Sequence, residues 1–227
     1  MTTISQAQIA RAVDVTADTV IRNELYFSDL DGLAGDGDFG TSLATGFKVM
    51  KRDLPTIDAA DIGALLMKLS MIVSKHVGGS SGPIWGTGFM KAAMLAKGKT
   101  EVTLEELAAM IGNAVDGIMA RGGAQLGDKT LLDAVIPVAE RLKAAAAEGV
   151  SDTGALLKEL ADIADNAVDS TRSLVARRGR ASQVGERSGD TPDPGIVAVA
   201  TILTDWTNTF GEPREASAPE VARAVAS

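Results

Sequence analysis

An all-α fold, an eight-helix antiparallel bundle or closed helical barrel, is what the sequence predicts, and three observations carry it. Apolar residues recur at three-, four- and seven-residue spacings in eight successive segments, the period of helices with one buried face. No segment shows the alternation of a half-buried strand. The connections are short and rich in glycine, serine and proline, which favours packing up and down against sequence neighbours.

The first helix is expected over residues 5 to 28, on Ile9, Val13, Val20, Ile21 and Leu25. A second runs from Thr41 to about Leu54 and stops there, because the residue before Pro55 is pushed out of the α region. Asp58 is the expected cap of a third, through Leu65, Leu66, Leu69, Ile72 and Val73 to His76, with Gly78-Gly79 as its left-handed end. Ser80-Ser81-Gly82-Pro83 opens a fourth, through Trp85, Phe89 and Met94 to about Lys97. Thr103-x-x-Glu106 is a capping box for a fifth, which Gly122-Gly123 closes.

Gly127-Asp128-Lys129-Thr130 introduces a sixth helix, on Leu131, Val135, Val138 and Leu142. Pro137 lies inside it and is expected to kink it. The seventh, from Asp152 to about Arg177, is the clearest amphipathic pattern of the chain. A long loop follows over 178–193. Asp193-Pro194-Gly195 then begins the eighth, with an N-cap and a proline in the first turn. One domain over residues 1–210 follows, and 211–227 is expected to be a loosely attached tail or short helix.

Composition narrows the function. Hydrophobic residues at 45% and charged residues at 23% are ordinary for a soluble protein. A net charge of -8 argues against nucleic acid or an anionic membrane surface as partner. With no cysteine, thiolate metal sites, cysteine nucleophiles and disulfides are excluded together, which fits a cytoplasmic location. No signal peptide and no bilayer-spanning stretch are expected.

The chemistry concentrates in Leu30 to Ser42. Asp31, Asp36 and Asp38 are separated by glycines that let the backbone turn tightly, so the three carboxylates can converge on one hard divalent cation. Thr41 and Ser42 open the next helix, with backbone N–H groups suited to a phosphate. Gly35-x-Gly37-x-x-Gly40 also fits a dinucleotide fingerprint, but a helix precedes it where that motif needs a strand. An EF-hand lacks its glutamate at the twelfth position in every frame. A plain acidic turn capping a helix is the remaining alternative. The absence of Lys and Arg from residues 29–38 argues against it.

In an up-and-down fold, the glycine-rich entries after helices one, three, five and seven fall at one end. That gathers the acidic loop, Gly79-Ser80-Ser81, Gly127-Asp128-Lys129-Thr130 and a loop bearing Arg177, Arg178, Arg180 and Arg187. Carboxylates, helix N-termini and arginines together suit magnesium and a nucleotide. Gly122 to Thr130 nearly spells a P-loop, yet one extra residue precedes the lysine and no strand leads in. His76 is taken as a wall or capping residue rather than a phosphohistidine, and dipole compensation is the plainer role for Arg177 and Arg178.

The runs Gly35-Asp-Gly-Asp-Phe-Gly-Thr, Gly78-Gly-Ser-Ser-Gly-Pro, Gly127-Asp-Lys-Thr-Leu-Leu-Asp-Ala and Gly179-Arg-Ala-Ser-Gln-Val-Gly-Glu-Arg-Ser, then Asp193-Pro-Gly, resemble the nucleotide-binding L subunit of dihydroxyacetone kinases. The likeness covers nearly the whole chain. It implies an eight-helix barrel with ADP or ATP and two magnesium ions at one end, the metals held by Asp31, Asp36 and Asp38. Phe39, Gly40, Thr41, Ser42, Ser80 and Ser81 would lie at the phosphates, and Gly122, Thr130 and Leu131 at the base. Arg180, Asp193 and Gly195 would close over the nucleotide, with Arg180 catalytic.

The resemblance further implies glycerol metabolism and a separate K subunit that holds the ketose covalently. A phosphohistidine protein of the phosphotransferase system is a further partner, and a homodimer is compatible. Phe39 and Ser42 depart from the residues usual in that family. Retained ADP and exchangeable ATP therefore both stay open as phosphoryl donor, as do triose and tetrulose (erythrulose) as acceptor. A non-catalytic nucleotide sensor that binds a regulator would need the same site. A fatty-acid kinase domain shares the acidic loop but not the Gly-Arg-Ala-Ser run.

Overall fold

A computed structural model describes residues 3–227. The chain is helical nearly throughout: α1 Gln6–Arg22, α2 Glu24–Asp31, α3 Phe39–Asp53, α4 Ile62–His76, α5 Ser81–Leu95, α6 Leu104–Gly122, α7 Leu132–Glu148, α8 Thr153–Thr171, α9 Pro194–Phe210 and α10 Pro219–Ala226. Two three-residue strands, β1 Thr3–Ser5 and β2 Glu101–Thr103, pair antiparallel and pin the N-terminus beside the α5–α6 connection. No helix of the described residues is long and apolar enough to cross a membrane.

The helices close a ring. α3 packs on α4, α4 on α5, α5 on α6, α6 on α7, α7 on α8 and α8 on α9, and α9 returns to α1, which packs on α3. With α1 and α2 counted as one broken rod, this is the expected eight-helix arrangement. Phe27, Leu43, Phe47, Leu69, Met110 and Ile196 are among its fully buried side chains. α4 and α5 approach closely enough that a Cβ on Gly86 would stand 2.0 Å from Ser74 Oγ. Burial of these one-sided faces, rather than helix propensity, supplies most of the stability of such helices.

Several features differ from the sequence expectation. The first helix breaks at Asn23, whose side-chain amide turns back to donate to the Thr19 carbonyl at 2.9 Å. The third is capped by Asp61 and not Asp58: Asp61 accepts from Ala64 N at 2.7 Å and from Gly98 N at 3.0 Å. It ends at His76 through an extended Val77, so Gly78-Gly79 lie beyond its cap. α7 includes Pro137 within it, as expected. α8 stops at Thr171, six residues short of Arg177.

Residues 211–227 are held rather than loose. Ala218, Val221 and Ala224 are fully buried, and Arg214, 8% exposed, reaches Asp162 and Asp165 of α8. The expected caps are present at Thr103, in a capping box with Glu106, and at Asp193, followed by Pro194 in the first turn of α9.

Candidate functional site

Four alternate junctions of the ring meet at one end: α2–α3, α4–α5, α6–α7 and α8–α9. Between them lies a cavity of about 230 Å³ whose lining includes residues of all four.

α2 delivers Asp31 at its last turn, and the glycine-rich turn returns Asp38 to the start of α3. Carboxylate oxygens of Asp31, Asp36 and Asp38 all lie within 4.8 Å of one another. Asp31 accepts a 3.3 Å hydrogen bond from Phe39 N. Asp38, in the N-cap position of α3, makes no side-chain capping bond. Desolvation, then the neighbouring Asp31, pushes the Asp38 carboxyl above its usual range. One cation is supplied from across the cavity: Arg180 Nη1 meets Asp38 at 2.7 Å and also contacts Asp36. A divalent ion suits the same oxygens, since all three ligands are hard carboxylates.

On the facing side, α5 begins at Ser81, and Ser80 before it makes no side-chain capping bond, which leaves its hydroxyl uncommitted. Ser42 and Gly78 approach so closely that a Cβ on the glycine would meet Ser42 Oγ at 2.9 Å. Ile84, Ile118, Ala124, Leu131, Leu132 and Pro194 add an apolar part to the lining. An apolar wall with polar groups at one end is the build of a site for a base attached to phosphates.

Asp193 caps α9 by accepting from Ile196 N at 2.9 Å. Burial outweighs this bond and the nearby Lys129 charge, and its carboxyl is pushed up to about 6.

Of the residues singled out from the sequence, Asp31, Asp36, Asp38, Phe39, Ser42, Ser80, Ser81, Gly122, Thr130, Leu131, Arg180, Asp193 and Gly195 line the cavity. Gly40 and Thr41 do not. Gly40 is buried against α2, where a Cβ would lie 2.0 Å from the Glu24 carbonyl oxygen. Thr41 gives its backbone N–H to Ser28 Oγ at 3.1 Å. Both residues join α3 to α2. His76 lies outside the cavity, in a shallow groove with Asp53, Lys68 and Lys75.

Sequence reasoning missed Ile84 and Ile118, because an apolar residue on a helix stripe reads the same whether it faces core or cavity. It also missed the part played by Asp128 and Lys129. Asp128 is 3% exposed and pairs with Arg178 at 3.3 Å, while its carbonyl accepts from Arg177 N at 3.0 Å. Asp133 shapes the same turn by accepting from Gly127 N at 2.6 Å and Thr130 N at 2.8 Å.

Comparison with known proteins shows the family of the chain. The DAK2 domain model matches residues 33–208. The chain is 38% identical over 200 residues to the ADP-binding subunit DhaL of the PEP-dependent dihydroxyacetone kinase of Escherichia coli (strain K12), covering 88% of this chain and 95% of that one. It is 39% identical over 172 residues to the corresponding subunit of dihydroxyacetone kinase 2 of Listeria innocua, covering 75% and 79%. In structure it is similar to the dihydroxyacetone kinase from C. freundii crystallised with AMP-PNP and Mg2+, with a TM-score of 0.68 at 22% identity, over 92% of this chain and 35% of that one.

Proposed function

Because this chain belongs to the DAK2 domain family, among the L subunits of dihydroxyacetone kinases, we propose that it is the magnesium-nucleotide subunit of a cytoplasmic dihydroxyacetone-type kinase. It carries ADP or ATP and donates a phosphoryl group to a ketose held covalently on a separate K subunit. The observation that carries this reading is the convergence of Asp31, Asp36 and Asp38, two of them paired with Arg180, in the lining of a cavity that also has apolar walls.

Phosphoryl transfer asks a protein mainly for positioning and for charge placed where it develops. Asp31, Asp36 and Asp38 would hold magnesium, two ions by family likeness, and magnesium when bound neutralises phosphate oxygens. Ser80 and Ser81, at the start of α5, would offer hydroxyls and helix-start amides to the remaining oxygens, and Ser42 on α3 would offer its hydroxyl. Ile84, Ile118, Leu131 and Pro194 would sandwich the base. Arg180, which pairs with Asp36 and Asp38, would face the transferring group. No nucleophile is required of this chain, since the hydroxyl arrives with the partner. The same arrangement serves either a nucleotide recharged in place by a phosphohistidine protein or one that exchanges.

Mixing the purified chain with its K-type partner, dihydroxyacetone and Mg-ATP tests the proposal. Formation of the sugar phosphate, dependent on both chains, is expected. No phosphorylated product with any triose or tetrulose would overturn it. Mass spectrometry of the native protein separates the two routes: tightly held ADP indicates recharging, an empty site exchangeable ATP.

A further inference from the structure

Lys129 lines the cavity beside a nucleotide-type site, where a lysine would ordinarily be taken as a phosphate ligand. Its geometry says otherwise. Only 3% of the residue is exposed, and Nζ donates to the carbonyls of Arg172 at 2.8 Å, Leu174 at 2.8 Å and Ser188 at 2.7 Å. An ammonium has three N–H groups, so none remains for a ligand. Arg172 and Leu174 follow α8, whereas Ser188 ends the turn that leads toward α9. The one ammonium therefore joins the two ends of the segment that carries Arg177, Arg178, Arg180 and Arg187.

Its neighbours act in the same direction. Asp128 accepts from Arg177 N through its carbonyl and from Arg178 Nε through its carboxylate. Ser188 Oγ accepts from Ala176 N at 2.9 Å, closing the same loop a second time. Lys129 itself has φ 59°, a left-handed conformation that a side chain with a Cβ rarely adopts. Such a conformation persists where surrounding contacts fix it, and here the three carbonyl bonds do so.

We propose that Lys129 is a positioning residue: its ammonium staples the base of the arginine loop and so sets where Arg180 stands relative to Asp36 and Asp38. The inference rests on the kinase reading above for the consequence of placing Arg180, but the staple is a property of the chain by itself.

Trypsin offers a direct readout, since Arg177, Arg178 and Arg187 are exposed cleavage sites within the stapled loop. Lys129→Met keeps the apolar stem and removes the ammonium. In the full chain it is expected to speed cleavage in this loop at least tenfold with little change elsewhere. With the K-type partner and Mg-ATP, kcat should fall at least tenfold while KM for the nucleotide stays within threefold, because Lys129 touches no ligand.

Loop cleavage and kcat equal to wild type would overturn the proposal. If the variant is cut throughout, as an unfolded chain would be, proton–nitrogen correlation spectra of wild-type lysine ammonium groups decide. One slowly exchanging ammonium supports the staple, and none overturns it. Failure of the kinase reading is seen separately: Mg-ADP would not slow cleavage of the wild-type loop, while the comparison of variant with wild type would still stand.

Discussion

Arg180 and Asp38, from opposite sides of the cavity, form a 2.7 Å ion pair, and the same guanidinium nitrogen touches Asp36. An arginine of the α8–α9 connection thus supplies the positive charge that the acidic loop lacks. Asp36 has half its side chain exposed and caps nothing, so Asp36→Asn is expected to change stability by no more than about 0.5 kcal/mol. Magnesium-dependent nucleotide affinity should fall by more than about 100-fold, beyond the loss typical of an outer-shell partner of a metal. Calorimetric titration with Mg-ADP, beside thermal unfolding, checks both. Wild-type affinity would remove Asp36 from the metal ligands.

Arg180→Met separates two roles of one guanidinium. Removing a charge that faces the transferring group should slow phosphoryl transfer by about 10³-fold, the lower range for arginines that serve this chemistry. The same substitution leaves Asp36 and Asp38 without their counter-ion, so magnesium binding in the absence of nucleotide should tighten. Coupled activity assays and metal titration of the free chain would show shifts of opposite sign. Loss of both would mean that the arginine only holds the loop.

Asp193 gives a pH signature. Its carboxyl is raised from 3.8 to about 6 in the folded chain by desolvation, against the cap bonds from Ile196 and Gly195. Between those values the folded state binds more protons than the unfolded state, so this group's contribution is fully present below about pH 4 and is lost as pH rises through about 6. At about 1.4 kcal/mol per pKa unit the loss amounts to at most about 3 kcal/mol. Asp193→Asn keeps a cap acceptor and cannot ionise. The stability of the variant relative to wild type should therefore rise between pH 4 and 7, as read by urea unfolding at each pH. A constant difference would contradict the burial of this carboxyl.

Arg214 carries the attachment of the last seventeen residues. Its guanidinium, 1% exposed, donates to Asp162 at 2.7 Å, to the fully buried Asp165 at 3.0 Å and to Thr204 Oγ1 at 2.7 Å. Arg214→Ala would strand a buried carboxylate, a change that costs about 3–5 kcal/mol. The low end is expected, because Ser217 N and Ala218 N still donate to Asp165. Thermal unfolding reads the loss. A cost under 1 kcal/mol would mean that α10 packs without this anchor.

What the sequence disclosed and what it hid divide along the range of the interactions. The Thr103–Glu106 capping box and the Asp193-Pro194 start are settled within four residues, and both stand in the structure as expected. The gathering of four loops at one end followed from glycine-rich entries after every second helix of an up-and-down arrangement. The stop of α8 at Thr171 was hidden because Leu174 and Val175 continue its apolar period. The carbonyls beyond Thr171 are instead taken by Lys129, more than forty residues away, and no local pattern announces such a bond. Asn23 broke the first helix with its own side chain, a turn that periodicity does not register.

Gly35 and Gly40, five residues apart in one motif, are glycines for different reasons, and substitution should tell them apart. A Cβ on Gly40 would lie 2.0 Å from the Glu24 carbonyl oxygen and 2.7 Å from Ser28 N, both main-chain atoms of α2 that cannot give way singly. Gly40→Ala should therefore force α3 from α2 and cost about 1–3 kcal/mol or more. A Cβ on Gly35 would lie 2.2 Å from Asp31 Oδ1, the end of a side chain that can rotate, although the Asp31 carbonyl at 2.9 Å resists as well. Its relief turns the Asp31 carboxylate away from Asp36 and Asp38. Gly35→Ala is thus expected to lose metal-dependent nucleotide binding at a smaller cost in stability than Gly40→Ala, and Gly40→Ala, where it folds, to retain binding. Unfolding curves and Mg-ADP titrations of the two variants side by side check the inversion. Equal losses on both measures would mean that the two glycines serve one purpose.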